Sequence, residues 1–168
     1  LFTANEITGM RRTRGWTDNQ YVYFVAQFSK PFQAIDFIQN KKMVSAGVKL
    51  NGTDLQACLS FDNSNGEPVI AKVGLSIVSE KNARENLETE VIGFDFDAVR
   101  SAARSAWEHA LSAITVKGGN TDDLKNFYTA MYHSMVVPNV VSDVNGEYSR
   151  HNMGIGQLQK GKEQYSTI

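Results

Sequence analysis

Three histidines, one cysteine and a scatter of carboxylates are the residues here that could do chemistry. His109, His133 and His151 lack zinc-ligand spacing. A single cysteine, Cys58, rules out an internal disulfide and a thiolate metal cluster. It sits in the alternating run Leu55–Phe61, which predicts a buried strand thiol rather than a nucleophile. Asp62-Asn63-Ser64-Asn65-Gly66-Glu67 resembles a calcium loop only loosely, because its glycine comes one position early and no glutamate closes it. A bare turn is the better reading. Gly74-Leu75-Ser76-Ile77-Val78 lacks the second glycine of a nucleophile elbow. Gly154-Ile155-Gly156 has Gln159 where a dinucleotide fingerprint needs its third glycine. Asp95/Asp97 and Asp122/Asp123 stand at predicted helix starts, where the helix dipole keeps carboxylates ionised and poor as acids.

The elements that must position these residues fall into two regimes. Up to about Ser79 the chain reads as strands: Tyr21–Phe28, Ala34–Gln39, Gly47–Leu50, Leu55–Phe61 and Val69–Ser79, with Leu1-Phe2-Thr3 inside another. Asn51-Gly52 suits a tight hairpin, which also explains the formal sequon Asn51-Gly52-Thr53 better than glycosylation does. The basic run Arg11-Arg12-Thr13-Arg14 reads as a solvated turn between strands. Short strands at this spacing predict an antiparallel sandwich.

Beyond Ser79 the period becomes helical. Ser79 can cap a helix through Ala83–Leu87. Phe96, Val99, Ala103, Trp107, Ala110 and Ile114 mark a second helix, ended by Gly118-Gly119, with Trp107 in the core. A third opens at Asn120, buries Leu124, Phe127, Tyr128, Met131 and Met135, and ends before Pro138. A short strand at Val140–Asp143, an Asn145-Gly146 turn and a polar, Gly-rich stretch follow. Segregated strands and helices argue against a parallel α/β fold. The net charge of −1 supplies no field toward nucleic acid, and no apolar run approaches the roughly 18 residues of a membrane span.

Five ordered passages carry a family resemblance. They are Val22-Tyr23-Phe24 with Phe28-Ser29-Lys30-Pro31-Phe32; Val73–Ser79; Ala83-Arg84-Glu85-Asn86-Leu87 with Glu90; Trp107 with Leu111; and Asn126–Ser134 with Pro138, Asp143, Gly146 and Tyr148. Together they resemble family 92 glycoside hydrolases, the exo-acting α-1,2-mannosidases. The resemblance implies the end of an antiparallel β-supersandwich over 1–79, linker helices over 80–118, and the first helix of an (α/α)6 barrel over 119–168. It implies calcium-dependent, inverting removal of terminal α-mannose from glycans by a secreted, cell-surface or periplasmic parent. It also makes the chain an internal piece, with the catalytic carboxylates and a Trp-Asp-Thr passage expected beyond Ile168 and no metal ligands within it.

Within that frame, His133, Asp143, Tyr148 and Trp16 are the candidate substrate-binding residues. His133 either donates to a sugar hydroxyl or site carboxylate, or is a buried histidine bonded to backbone. For Asp143 and Tyr148, fixing the loop is favoured over touching sugar. Two other readings stay open: a non-catalytic carbohydrate-binding module, and another sandwich-plus-helical-barrel hydrolase or phosphorylase. A lone barrel helix would leave its apolar stripe facing nothing, so self-association through that face, or packing back on the sandwich, is expected.

Overall fold

A computed structural model describes residues 2–15, 18–45, 47, 49–150 and 153–166. The strands build two three-stranded antiparallel sheets. The first has the order β1 (Glu6–Thr13), β2 (Gln20–Phe28), β6 (Ala71–Ser76). The second has the order β4 (Lys42–Val44), β3 (Phe32–Gln39), β5 (Leu55–Phe61). They meet at the Ser29-Lys30-Pro31 corner, where Phe28, Phe32 and Phe61 pack edge to face or tilted with centroids 5.2–6.4 Å apart. Strands followed by helices is the predicted class.

Several local expectations are corrected. Arg11, Arg12 and Thr13 lie inside β1, paired with Val22, Tyr21 and Gln20, so the basic run is strand and not turn. Its arginines are exposed, and charge is well tolerated on an edge strand. Phe2 makes only an isolated bridge to Ile7. Gly47, Lys49 and Leu50 are not in a strand; β4 takes Lys42–Val44 instead. The tight hairpin is at Asn40-Lys41, both left-handed (φ 50° and 63°), as a two-residue turn of the right twist requires. Asn51-Gly52 sits in the wider loop that carries β5 to the other edge of β3. Cys58 is exposed: β5 is an edge strand, and alternation reveals two faces without saying whether either is covered.

Helix α1 (Glu80–Glu90) is capped by Ser79, whose hydroxyl accepts from the Asn82 amide. It lies across the first sheet and closes the buried core of Val25, Ala83 and Leu87. Glu6 on β1 accepts from both Gln27 and Arg84, tying two strands to this helix. Helix α2 (Phe96–Leu111) starts at the Asp95 cap and ends at Ser112, so Gly118-Gly119 lie beyond its stop and Ile114 outside it.

Helix α3 (Thr121–Ser134) opens with a full capping box: Asn120 accepts from the Asp123 amide, and Asp123 accepts from the Asn120 amide. We expect Asn120→Ala to cost about 1 kcal/mol, seen as faster amide exchange in the first turn of α3; unchanged exchange there would show the cap to be dispensable. α3 packs on α2 through Trp107 and Tyr132, whose rings lie 4.7 Å apart. No residue of either helix is buried, contrary to expectation. Leu124, Tyr128 and Met131 are half-buried, while Phe127, Met135 and Trp107 are exposed. Amphipathic spacing identifies the face that seeks a partner, and only the fold decides whether these residues meet one.

The C-terminal stretch is less irregular than its composition suggests. β7 (Asn139–Val140) pairs with β10 (Tyr165–Ser166), and β8 (Glu147–Ser149) with β9 (Ile155–Gln157). The strand expected over Val140–Asp143 is confined to its first residue and the one before it.

Candidate functional site

The densest polar cluster sits where the first sheet, α1 and the segment after α3 converge. Asp143 is buried at 7% exposure. Its Oδ2 accepts from Ser76 Oγ (2.7 Å) and Asn82 Nδ2 (2.8 Å), and its Oδ1 from Asn86 Nδ2 (2.7 Å). Three neutral donors thus hold one carboxylate, and such charge-assisted bonds contribute roughly 1.5–3 kcal/mol each. Asn82 also donates to Glu147 Oε2 at 2.8 Å. Asn86 donates to the Leu75 carbonyl and accepts from the Val144 amide. Ser76 Oγ in turn accepts from the amides of Val78 and Ser79. The partners are 57–67 residues apart in sequence.

Asn82 and Asn86 lie one turn apart on α1, so both amides face the same way. Asparagine is a poor helix former. Two of them at this spacing are a signal that sequence reading passed over; it assigned neither a role.

An open cleft of about 440 Å³ borders this cluster, lined by Glu90, Ser142, Asp143, Asn145, Gln157 and Glu163 among others. One wall is the segment 157–163. It is laced to the floor by Leu158 N to Gly146 O (2.9 Å), Gln157 Nε2 to Asn145 O (2.8 Å), Gln164 N to Ser142 Oγ (3.1 Å) and Val141 N to Gln164 O (2.8 Å). Tyr165 donates to Glu163, and that hydrogen bond together with the carboxylate's charge raises the phenol's pKa.

The structure brings only part of the candidate set together. Asp143 lines the cleft, but both its oxygens are occupied by protein donors. Tyr148 stands on β8 opposite Gly156, where an added Cβ would lie 2.4 Å from the Tyr148 ring, and the Arg150 guanidinium lies over that ring at 5.9 Å. Tyr148 therefore packs the β8–β9 hairpin. His133 is exposed in the last turn of α3, beside the Tyr132 ring at 5.6 Å, so the buried alternative does not hold. Trp16 and His151 lie outside the described residues.

Nothing among the described residues fits a calcium ion. No group of three or more histidine, cysteine, aspartate or glutamate side chains is placed to hold a metal. Asp143 faces hydrogen-bond donors, the opposite of what a cation needs. At the Asp62–Glu67 loop, the Lys30 ammonium binds Asn65 Oδ1 (3.1 Å) and the Glu67 carbonyl (3.0 Å), and Asp62 accepts from the Ser64 amide. The loop is an ordinary turn held by a lysine.

Antiparallel sheets are thus joined through one buried carboxylate to a helical segment. Residues 2–76 match the model of the glycosyl hydrolase family 92 N-terminal domain, and residues 82–168 that of the family 92 catalytic domain. The chain belongs to glycosyl hydrolase family 92. It is 31% identical, with a TM-score of 0.86, to a family GH92 alpha-mannosidase from Bacteroides thetaiotaomicron, over 98% of this chain and 23% of that one. The same mannosidase has been solved in complex with mannoimidazole. A family GH92 inverting mannosidase from the same bacterium shares the fold (TM-score 0.79, 22% identity, 97% of this chain and 22% of that one). A protein described as an uncharacterized secreted glycosidase, from Arthroderma benhamiae, is 38% identical over 114 residues, 63% of this chain and 14% of its own. The chain thus spans less than a quarter of the length of each of these relatives.

Proposed function

We propose that the protein to which these residues belong is an exo-acting α-mannosidase that removes terminal α-linked mannose from glycans with inversion. The observation that carries this reading is the 31% identity, over 98% of this chain, to a solved alpha-mannosidase. These residues form the junction between sandwich and helical domain, in segments 1–79, 80–118 and 119–168.

Inversion needs a protonated carboxyl at the leaving oxygen and a carboxylate activating water across the ring, about 6.5–9.5 Å apart. Asp95 and Asp123 are engaged as helix caps, and Asp143 is saturated by donors. The family resemblance assigns the catalytic pair, the calcium ligands and the Trp-Asp-Thr passage to other segments of the protein. His133 and the cleft beyond Pro138 supply at most a share of the sugar contacts. Export to the periplasm, cell surface or medium is supported by the relative described as secreted. No helix among the described residues is long and apolar enough to cross a membrane.

The test is hydrolysis of α-1,2-mannobiose by the full-length protein, followed by NMR of the first mannose released. The β-anomer is expected, with activity lost on chelation and restored by calcium. A stable full-length protein that binds mannosides without cleaving them would replace this reading with a carbohydrate-binding module; release of the α-anomer would rule out inversion.

A further inference from the structure

Asp143 is the only buried carboxylate among the described residues, and its partners are distributed in a telling way. Ser76 is the last residue of β6 and of the segment matching the family's N-terminal domain. Asn82 and Asn86 open the segment matching the catalytic domain. Asp143 itself starts the turn Asp143–Glu147, closed by Asp143 N to Glu147 O and Gly146 N to Asp143 O, both 2.8 Å. Asn145 and Gly146 within this turn anchor Gln157 and Leu158 of the wall, and Ser142 just before it anchors Gln164 at the wall's end. One carboxylate thus ties the sandwich, the junction helix and the floor of the cleft to a single point.

From this geometry we infer that Asp143 is a positioning residue. It fixes the cleft wall relative to the sandwich, and it does so as an anion, through Ser76, Asn82 and Asn86, without touching sugar. The inference deepens the proposed function, because the cleft it shapes is the one assigned to the sugar side of the junction. A carboxylate here accepts from every donor that faces it. An amide in its place must turn one N–H toward those same donors, leaving buried donors unpaired. The wall would then move with it, since Gln157 and Leu158 bond to this turn and Gln164 bonds to Val141 and Ser142 just before it.

The experiment uses full-length Asp143→Asn and Ser76→Ala, with the double variant, in two assays. Timed trypsin digestion reads cleavage after Lys160 and Lys162, which are exposed on the wall and cut faster when it opens locally. Both variants are expected to accelerate those cuts roughly tenfold, the change that one lost charge-assisted bond would produce. The double variant should be no worse than Asp143→Asn alone, because both remove the same link. Hydrolysis of α-1,2-mannobiose is expected to fall in parallel for both, mainly in kcat. If Asp143→Asn abolishes activity while Ser76→Ala is silent in both assays, Asp143 acts on substrate directly and the inference is wrong. Unchanged cleavage at Lys160 and Lys162 in both variants would also overturn it. The digestion needs no substrate, so it stands even if the protein proves not to be a mannosidase. If Asp143→Asn fails to fold, Ser76→Ala, which removes one of the three donors to Asp143 together with the acceptor of the Val78 and Ser79 amides, decides the matter alone.

Discussion

Gly74→Ala is expected to cost at least about 3 kcal/mol, at the upper end for adding a single methyl to a packed site. A Cβ at this position would lie 2.2 Å from the Ala83 carbonyl oxygen, 2.6 Å from Leu87 Cβ and 3.2 Å from the Leu87 amide. Two of these are α1 backbone atoms, which cannot rotate away as the end of a side chain would. The helix must lift off β6, and with it go the contacts of Val25, Ala83 and Leu87, exposed by 0%, 0% and 2%. Interiors are packed too tightly to absorb such a shift locally. Against a typical total of 5–15 kcal/mol, a loss of this size is severe. Urea denaturation of the full-length protein should show a lower midpoint for its least stable transition. Gly66→Ala is the control: it faces open space but has φ +70°, so only backbone strain of about 1 kcal/mol is added. Equal effects from the two substitutions would mean that the close approach of α1 is not what Gly74 serves.

The second large effect concerns the α2–α3 face. Phe96, Val99, Ile114, Phe127 and Met135 are exposed by 64%, 46%, 52%, 36% and 38%. Exposed apolar side chains in such number on and beside a helix pair favour association with another apolar surface. These 168 residues produced alone are expected to self-associate, with light scattering giving a dimer or larger at every concentration where the signal is measurable. Val99→Glu combined with Phe127→Glu should shift the population to monomer while far-UV circular dichroism keeps its helical signal, since neither side chain is buried. A parent sample that is already monomeric, with α3 still folded, would show that this face needs no cover.

How much of this was legible in the sequence depends on how local the cause is. β2 and β5 were readable because aromatic and β-branched runs fit a pleated surface, and the two strands fall within a residue of their predicted bounds. The caps at Ser79 and Asn120 were readable because a cap is a contact between neighbours in sequence; at the second helix the sequence left Asp95 and Asp97 open, and the structure takes Asp95. The hairpin at Asn40-Lys41 was missed because Asn51-Gly52 is the stronger turn signal, yet strand pairing, not turn propensity, chose which of the two closes on β3.

Ser76, Asn86 and Asp143 lie inside passages that resemble family 92, and Asn82 stands just before one, so the sequence by itself determined the family, the change from strands to helices, and where each helix begins. What only the tertiary structure decided is their meeting. Their hydrogen bonds span about sixty residues, and a bond of that reach leaves no periodicity, spacing or composition behind it. The same holds for Gly74, whose small size answers a helix packed over it, and for Cys58, whose alternating strand says nothing of whether a second layer covers it. Local structure follows from neighbours in the chain; burial and long-range pairing follow from which surfaces the folded chain brings into contact.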